Sequence, residues 1–152
     1  MKTIIVCDAI HPVGFELLKK EQDINVIDAV NTPKDELLKI LGEADVAITR
    51  SSTEVNEAFL EAGKKLKAIV RAGVGVDNVD IDGCSRRGII AMNVPTTNTI
   101  AAVELTMAHM LAAARSLEYA HNDLKLDRIW KREKWYGVEL FKKKLGVIGF
   151  GN

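Results

Sequence analysis

Arg71, Gly73 and Gly75 are the residues whose types and spacing best suit chemistry. They lie in the stretch from Leu66 to Asp80, where an apolar run ends in an arginine, two glycines and then Asp77. The glycines permit backbone angles other residues avoid and leave room for a ligand to approach the main chain. Successive free N–H groups in such a loop, ahead of a helix, make an anion site. Arg71 adds a fixed charge and a planar fork suited to carboxylate or phosphate. A tight strand-to-helix turn with no ligand fits the glycines equally well. The arginine favours the ligand, because open α/β sheets bind at the carboxyl ends of their strands. Arg50 follows the apolar run Val46–Thr49 in the same way. Either arginine alone reads as a solvated surface charge; two at equivalent strand ends point to a shared anion site with the 73–75 loop between them.

Two other segments carry chemical signals. Leu145–Ile148 reads as a strand entering a glycine turn with Gly149 and Gly151. The dinucleotide fingerprint G-x-G-x-x-G would need a third glycine at position 154. The sequence stops at Asn152, so it is expected to be a fragment of a longer protein. Between Lys125 and Lys144, eight Lys/Arg face three Asp/Glu, with Trp130, Trp135, Tyr136 and Phe141 interleaved. Nucleic-acid binding uses that mixture, but the chain's zero net charge favours a solvated connector. One of these arginines reaching a ligand is a third reading. His109 reads as a structural histidine. The sequence holds three histidines and nothing that reads as a nucleophile–base pair or a metal cluster.

The elements that must position these residues follow from the hydrophobic pattern. Thr3–Cys7, Ile24–Ile27, Val46–Thr49, Leu66–Val70 and Ile89–Val94 read as strands. Helices read between them: one starting near Pro12, one with Thr32 as N-cap and Pro33 at its first position, a short one over Asn56–Ala62, and one opened by Asp77 and closed by Gly88. Strands alternating with helices predict a parallel sheet covered on both faces. Thr97 or Asn98 starts a long helix to about Glu118, rich in alanine and apolar around most of its surface. Such a helix is expected to be buried between two bodies and to build a dimer or larger assembly.

With 152 residues, 47% of them hydrophobic and 28% charged, the chain suits one domain or one and a fraction. Neutrality gives no electrostatic case for nucleic acid or an anionic membrane. Cys7 and Cys84 are far apart and form no CxxC; with no signal peptide, they predict a reducing cytoplasm. No window reaches the ~18 apolar residues of a membrane helix.

Four segments together carry a family resemblance: Arg71 to Asp80, Arg86 to Ile90, Asn93 to Pro95 with Asn98 and Thr99, and Leu145 to Gly151. Through these the chain resembles the N-terminal part of the D-2-hydroxyacid dehydrogenases, in the branch that acts on 3-phosphoglycerate. The resemblance implies an α/β fold: a flavodoxin-like doubly wound parallel sheet as substrate lobe over 1–94. Residues 95–152 would then be the long helix, connector and first strand of a truncated NAD-binding Rossmann domain. It implies oxidation of 3-phosphoglycerate to 3-phosphohydroxypyruvate with NAD, in L-serine biosynthesis, by a homodimer or homotetramer. The loop amides at Val74 and Gly75 would hold the substrate carboxylate, and Val74 would also touch the nicotinamide. Arg50, Arg71 and Arg132 would hold the phosphate, Arg132 reaching across from a second copy. Asn98 and Val103 would line the substrate and cofactor cleft, and Gly149 and Gly151 would approach the cofactor. The family's catalytic arginine, glutamate and histidine would lie past residue 152, leaving this chain inactive. The alternatives are another dehydrogenase of the family (hydroxypyruvate, glyoxylate or D-lactate), an NAD-sensing corepressor that binds peptides, and a stand-alone flavodoxin-like binding module.

Overall fold

A computed structural model describes residues 1–149. The chain divides into two compact units, Met1–Thr97 and one beginning at Asn98.

The first unit alternates β1 (Lys2–Val6), α1 (Pro12–Lys20), β2 (Ile24–Asp28), α2 (Lys34–Leu41), β3 (Val46–Thr49), α3 (Glu57–Ala62), β4 (Ala68–Arg71), α4 (Ile81–Arg86) and β5 (Ile90–Asn93). The five strands form one sheet in the order β2-β1-β3-β4-β5, and every pairing is parallel. β-branched residues suit this buried, pleated setting: Ile5, Val6 and Ile69 are sealed from solvent on the central strands. Leu41 from α2, Phe59 and Leu60 from α3 and Cys84 from α4 close the core. The chain leaves β1 toward β2 and returns to build β3 on the other side, so the topological switch lies between β1 and β3. Open α/β sheets bind ligands at the carboxyl edge near such a point.

Caps differ from the sequence reading at two places. Asp80, not Asp77, starts α4: its carboxylate accepts from the Gly83 N–H at 2.8 Å. The N-cap of α2 is Pro33, not Thr32, and no side chain caps it. Asp77 is thereby left exposed in the loop after β4.

The second unit holds α5 (Thr99–Ala114), α6 (Leu117–Lys125) and a 3-10 turn at Arg132–Lys134. The long helix does not run to Glu118. It breaks at Arg115–Ser116, where Ser116 takes a left-handed φ of 49°, and α6 leaves at a 69° bend. No residue of α5 is buried; Ile100 and Leu105 keep 70% and 58% of their surface. The expected burial is therefore not achieved within one chain. A helix apolar on all sides needs neighbours on all sides, and within its unit α5 packs beside α6. Leu145–Ile148, read as a strand, forms none. A strand is defined by its ladder, and this run pairs with no other strand among the described residues. Among the described residues, no single helix is long and apolar enough to cross a membrane.

Candidate substrate-binding site

The register of the sheet brings the two arginines to one edge. Thr49 of β3 pairs with Arg71 of β4, so Arg50 emerges beside Arg71 at the carboxyl ends of adjacent strands. Their side chains are held differently. Arg50 is exposed, and its Nη1 donates to the Ala9 carbonyl at 3.1 Å, on the β1 side. Arg71 is half-buried and folds back over Gly73. Its Nε is buried and unpartnered, and its guanidinium makes no hydrogen bond or ion pair among the described residues.

Gly73 and Gly75 do not use the backbone freedom expected of them, and their lack of a Cβ makes room for neighbouring side chains. Neither takes a positive φ. A Cβ at Gly73 would fall 1.9 Å from Arg71 Nη1, so the glycine makes room for the guanidinium. At Gly75 a Cβ would fall 2.9 Å from Asp77 Oδ1.

The loop between them is anchored through its carbonyls. Asn93 Nδ2 donates to Val74 O at 2.7 Å, and the Val94 N–H donates to Gly73 O at 3.0 Å. Among the described residues, the N–H groups of Val74 and Gly75 donate to nothing, and both residues are exposed. With two carbonyls pinned, this edge presents free amides and an unpartnered guanidinium, the donor types that can hold an anion. Asn93 lies in one of the motif segments, yet its role was invisible there; only the β4–β5 pairing sets its side chain against the loop.

Asp8 and Asn78 were also missed. Asp8 is buried at the end of β1. Its carboxylate accepts from the N–H groups of Arg50 and Thr53 and from Thr53 Oγ1 at 2.9 Å. Asn78 Nδ2 donates to the carbonyls of Arg50 at 2.6 Å and Thr53 at 2.7 Å. A cleft of about 600 Å³ opens beside this loop at the β1/β3 switch, lined by Asp8, Thr32, Lys34, Ser51, Ser52 and Phe59.

In the second unit, Asn98 precedes α5 with an exposed side chain that makes no cap bond, and Val103 is 55% exposed on α5. Arg132 is exposed at the start of the 3-10 turn. That turn is tied to α6 by Asp123, which accepts from Lys134 Nζ at 2.7 Å and Trp135 Nε1 at 2.7 Å. The Lys134 bond, then the Trp135 bond, holds the Asp123 carboxyl below the usual carboxylate range. Trp135 also stacks on Tyr119, with ring centroids 5.0 Å apart. Gly149 takes a left-handed φ of 83° with open space where a Cβ would stand. Gly151 lies outside the described residues.

Residues 4–143 match the family model of the D-isomer specific 2-hydroxyacid dehydrogenase catalytic domain. The chain belongs to this family. It is 42% identical over 151 residues to the D-3-phosphoglycerate dehydrogenase of Methanocaldococcus jannaschii, covering 99% of this chain and 28% of that protein. It is 40% identical over 147 residues to the hydroxypyruvate reductase of Thermotoga maritima, covering 97% of this chain and 47% of that one. The crystal structure of NAD+-bound 3-phosphoglycerate dehydrogenase from Entamoeba histolytica superposes with a TM-score of 0.64 at 30% identity, over 75% of this chain and 39% of that one. The chain thus spans about a quarter to a half of the length of these relatives.

Proposed function

We propose that this chain is the substrate lobe, with the start of the nucleotide unit, of an NAD-dependent D-3-phosphoglycerate dehydrogenase that opens L-serine biosynthesis. The observation that carries the reading is the 73–75 loop. The carbonyls of Gly73 and Val74 are tied back by Val94 and Asn93, while the Val74 and Gly75 amides and the Arg71 guanidinium stay free among the described residues. The substrate carboxylate sits on the N–H groups of Val74 and Gly75, and the phosphate on Arg71 and Arg50, with Arg132 supplied by a second copy. A phosphate dianion gains about 1.5–3 kcal/mol from each charge-assisted bond. The apolar surface of α5 is the dimer face. NAD, when bound, would supply the acceptor for the hydride leaving C2 of the substrate. The residues described here bind and orient the carboxylate and phosphate so that C2 is presented to it. Gly149 fits this reading, since its left-handed backbone and open surroundings let a phosphate approach the main chain.

The Thermotoga maritima relative favours a second reading, a hydroxypyruvate reductase. Its substrate has no phosphate and makes no use of two or three arginines. The test is the NADH absorbance assay on the longer enzyme with 3-phosphoglycerate and D-glycerate, which differ only in the phosphate. The proposed function expects kcat/KM at least a hundredfold higher for 3-phosphoglycerate. Equal values would support the second reading.

A further inference from the structure

We propose that Asn78 is a positioning residue for Arg50, acting opposite Asp8 to fix the backbone from which that arginine projects. The proposal rests on the reading of Arg50 as a phosphate-holding residue. Both backbone polar groups of Arg50 are taken by side chains from other segments. Its N–H donates to Asp8 at the end of β1, and its C=O accepts from Asn78 at 2.6 Å. Thr53 is held in the same way, with its N–H and hydroxyl on Asp8 and its C=O on Asn78 at 2.7 Å. The loop 50–53 is thus gripped at both ends and from both sides, while Ser51 and Ser52 between the grips stay exposed.

Asn78 suits this task chemically. One amide nitrogen supplies two donors, and two carbonyls need two donors. Its own backbone is fixed by the bridge between Val55 and Val79: Val55 N–H donates to Asn78 O at 2.9 Å, and Asp80 N–H to Val55 O at 2.8 Å. Its Oδ1 is buried and accepts nothing among the described residues. The amide therefore faces the loop with its nitrogen, since the opposite orientation would set an oxygen against two carbonyl oxygens. Asn78 also lies in the same connection as Gly73 and Gly75. The segment that presents amides to the carboxylate therefore also holds the arginine assigned to the phosphate, which sets the spacing between the two subsites.

The test is a kinetic cycle in the longer enzyme with Arg50→Ala, Asn78→Asp and the double variant. N78D keeps the size and shape but replaces the donors with an acceptor. N78D is expected to raise the KM for 3-phosphoglycerate five- to fiftyfold and to leave the KM for NAD within twofold. Because Asn78 acts through Arg50, the double variant is expected to lie within twofold of Arg50→Ala alone. Fully multiplicative effects, or an unchanged KM in N78D while Arg50→Ala raises it, would overturn the positioning role and leave the proposed function standing. An unchanged KM in Arg50→Ala would remove Arg50 from the site and overturn both. A measurement on the unsubstituted chain keeps the proposal exposed if N78D does not fold. The side-chain amide protons of Asn78 are expected to exchange with solvent at least tenfold more slowly than those of an exposed asparagine. Free exchange would overturn the proposal.

Discussion

Gly73→Ala separates the position of a charge from its presence. The added Cβ would stand 1.9 Å from Arg71 Nη1, 2.9 Å from Cζ and 3.5 Å from Cδ. The backbone accepts it, since Gly73 is not among the positive-φ residues. What gives way is the far end of a flexible side chain, so the guanidinium swings off its seat. Losing glycine restricts the unfolded chain and stabilises by about 0.4–1 kcal/mol, which offsets the modest cost of moving one arginine rotamer. Stability should therefore stay within about 1 kcal/mol of the original. Binding should not. One misplaced charge-assisted contact is worth about 1.5–3 kcal/mol, or roughly ten- to a hundredfold in KM for 3-phosphoglycerate. The assay is steady-state turnover of the longer enzyme, with urea unfolding as the stability control. Arg71→Ala should give a similar loss, and the double variant should be no worse than either. Arg71→Ala raising KM while Gly73→Ala leaves it unchanged would refute the seat that Gly73 provides. A collapse in stability would refute the claim that only the side chain moves.

Two further predictions concern ionisation. Asp45 accepts from the Thr3 N–H at 3.0 Å and from Lys67 and Lys2. The Thr3 bond first, then Lys67, lowers its pKa from 3.8 to about 2. Its stabilising contribution is thus complete above pH 3.8 and disappears as pH falls toward 2. Acid titration of the denaturant midpoint should show a loss in that window that Asp45→Asn makes shallower; an equally steep loss in the variant would refute the assignment. Burial, then the charge of Asp8, pushes Cys7 up to about 12, and burial also raises Cys84. Since the thiolate is the reactive form, Ellman's reagent at pH 8 should label neither cysteine until the chain unfolds; rapid labelling of the folded chain would refute this.

The sequence by itself determined the alternation of elements in the first unit. Thr3–Cys7 and Val46–Thr49 are β-branched runs too apolar for a surface, and Pro12 and Asn56 mark helix starts through fixed φ and side-chain capping. It also placed Arg50 and Arg71 at strand ends, because local order along the chain tells which end of a parallel strand a residue leaves. Of the two roles read for the glycines, dihedral freedom and empty space, the first is not used at Gly73, and only the folded path of Arg71 shows that a guanidinium takes part of the second. The α4 cap was misread because Asp77 and Asp80 both offer a carboxylate, and the bridge from Val55 to Val79 decides which one meets the helix. Leu145–Ile148 has strand composition, but a ladder is a relation between segments and cannot be written in one of them. Asp8, Asn78 and Asn93 were illegible for the same reason. Each is an ordinary polar residue in sequence, and each gains its role from a partner 19 to 45 positions away, brought near by the order β2-β1-β3-β4-β5.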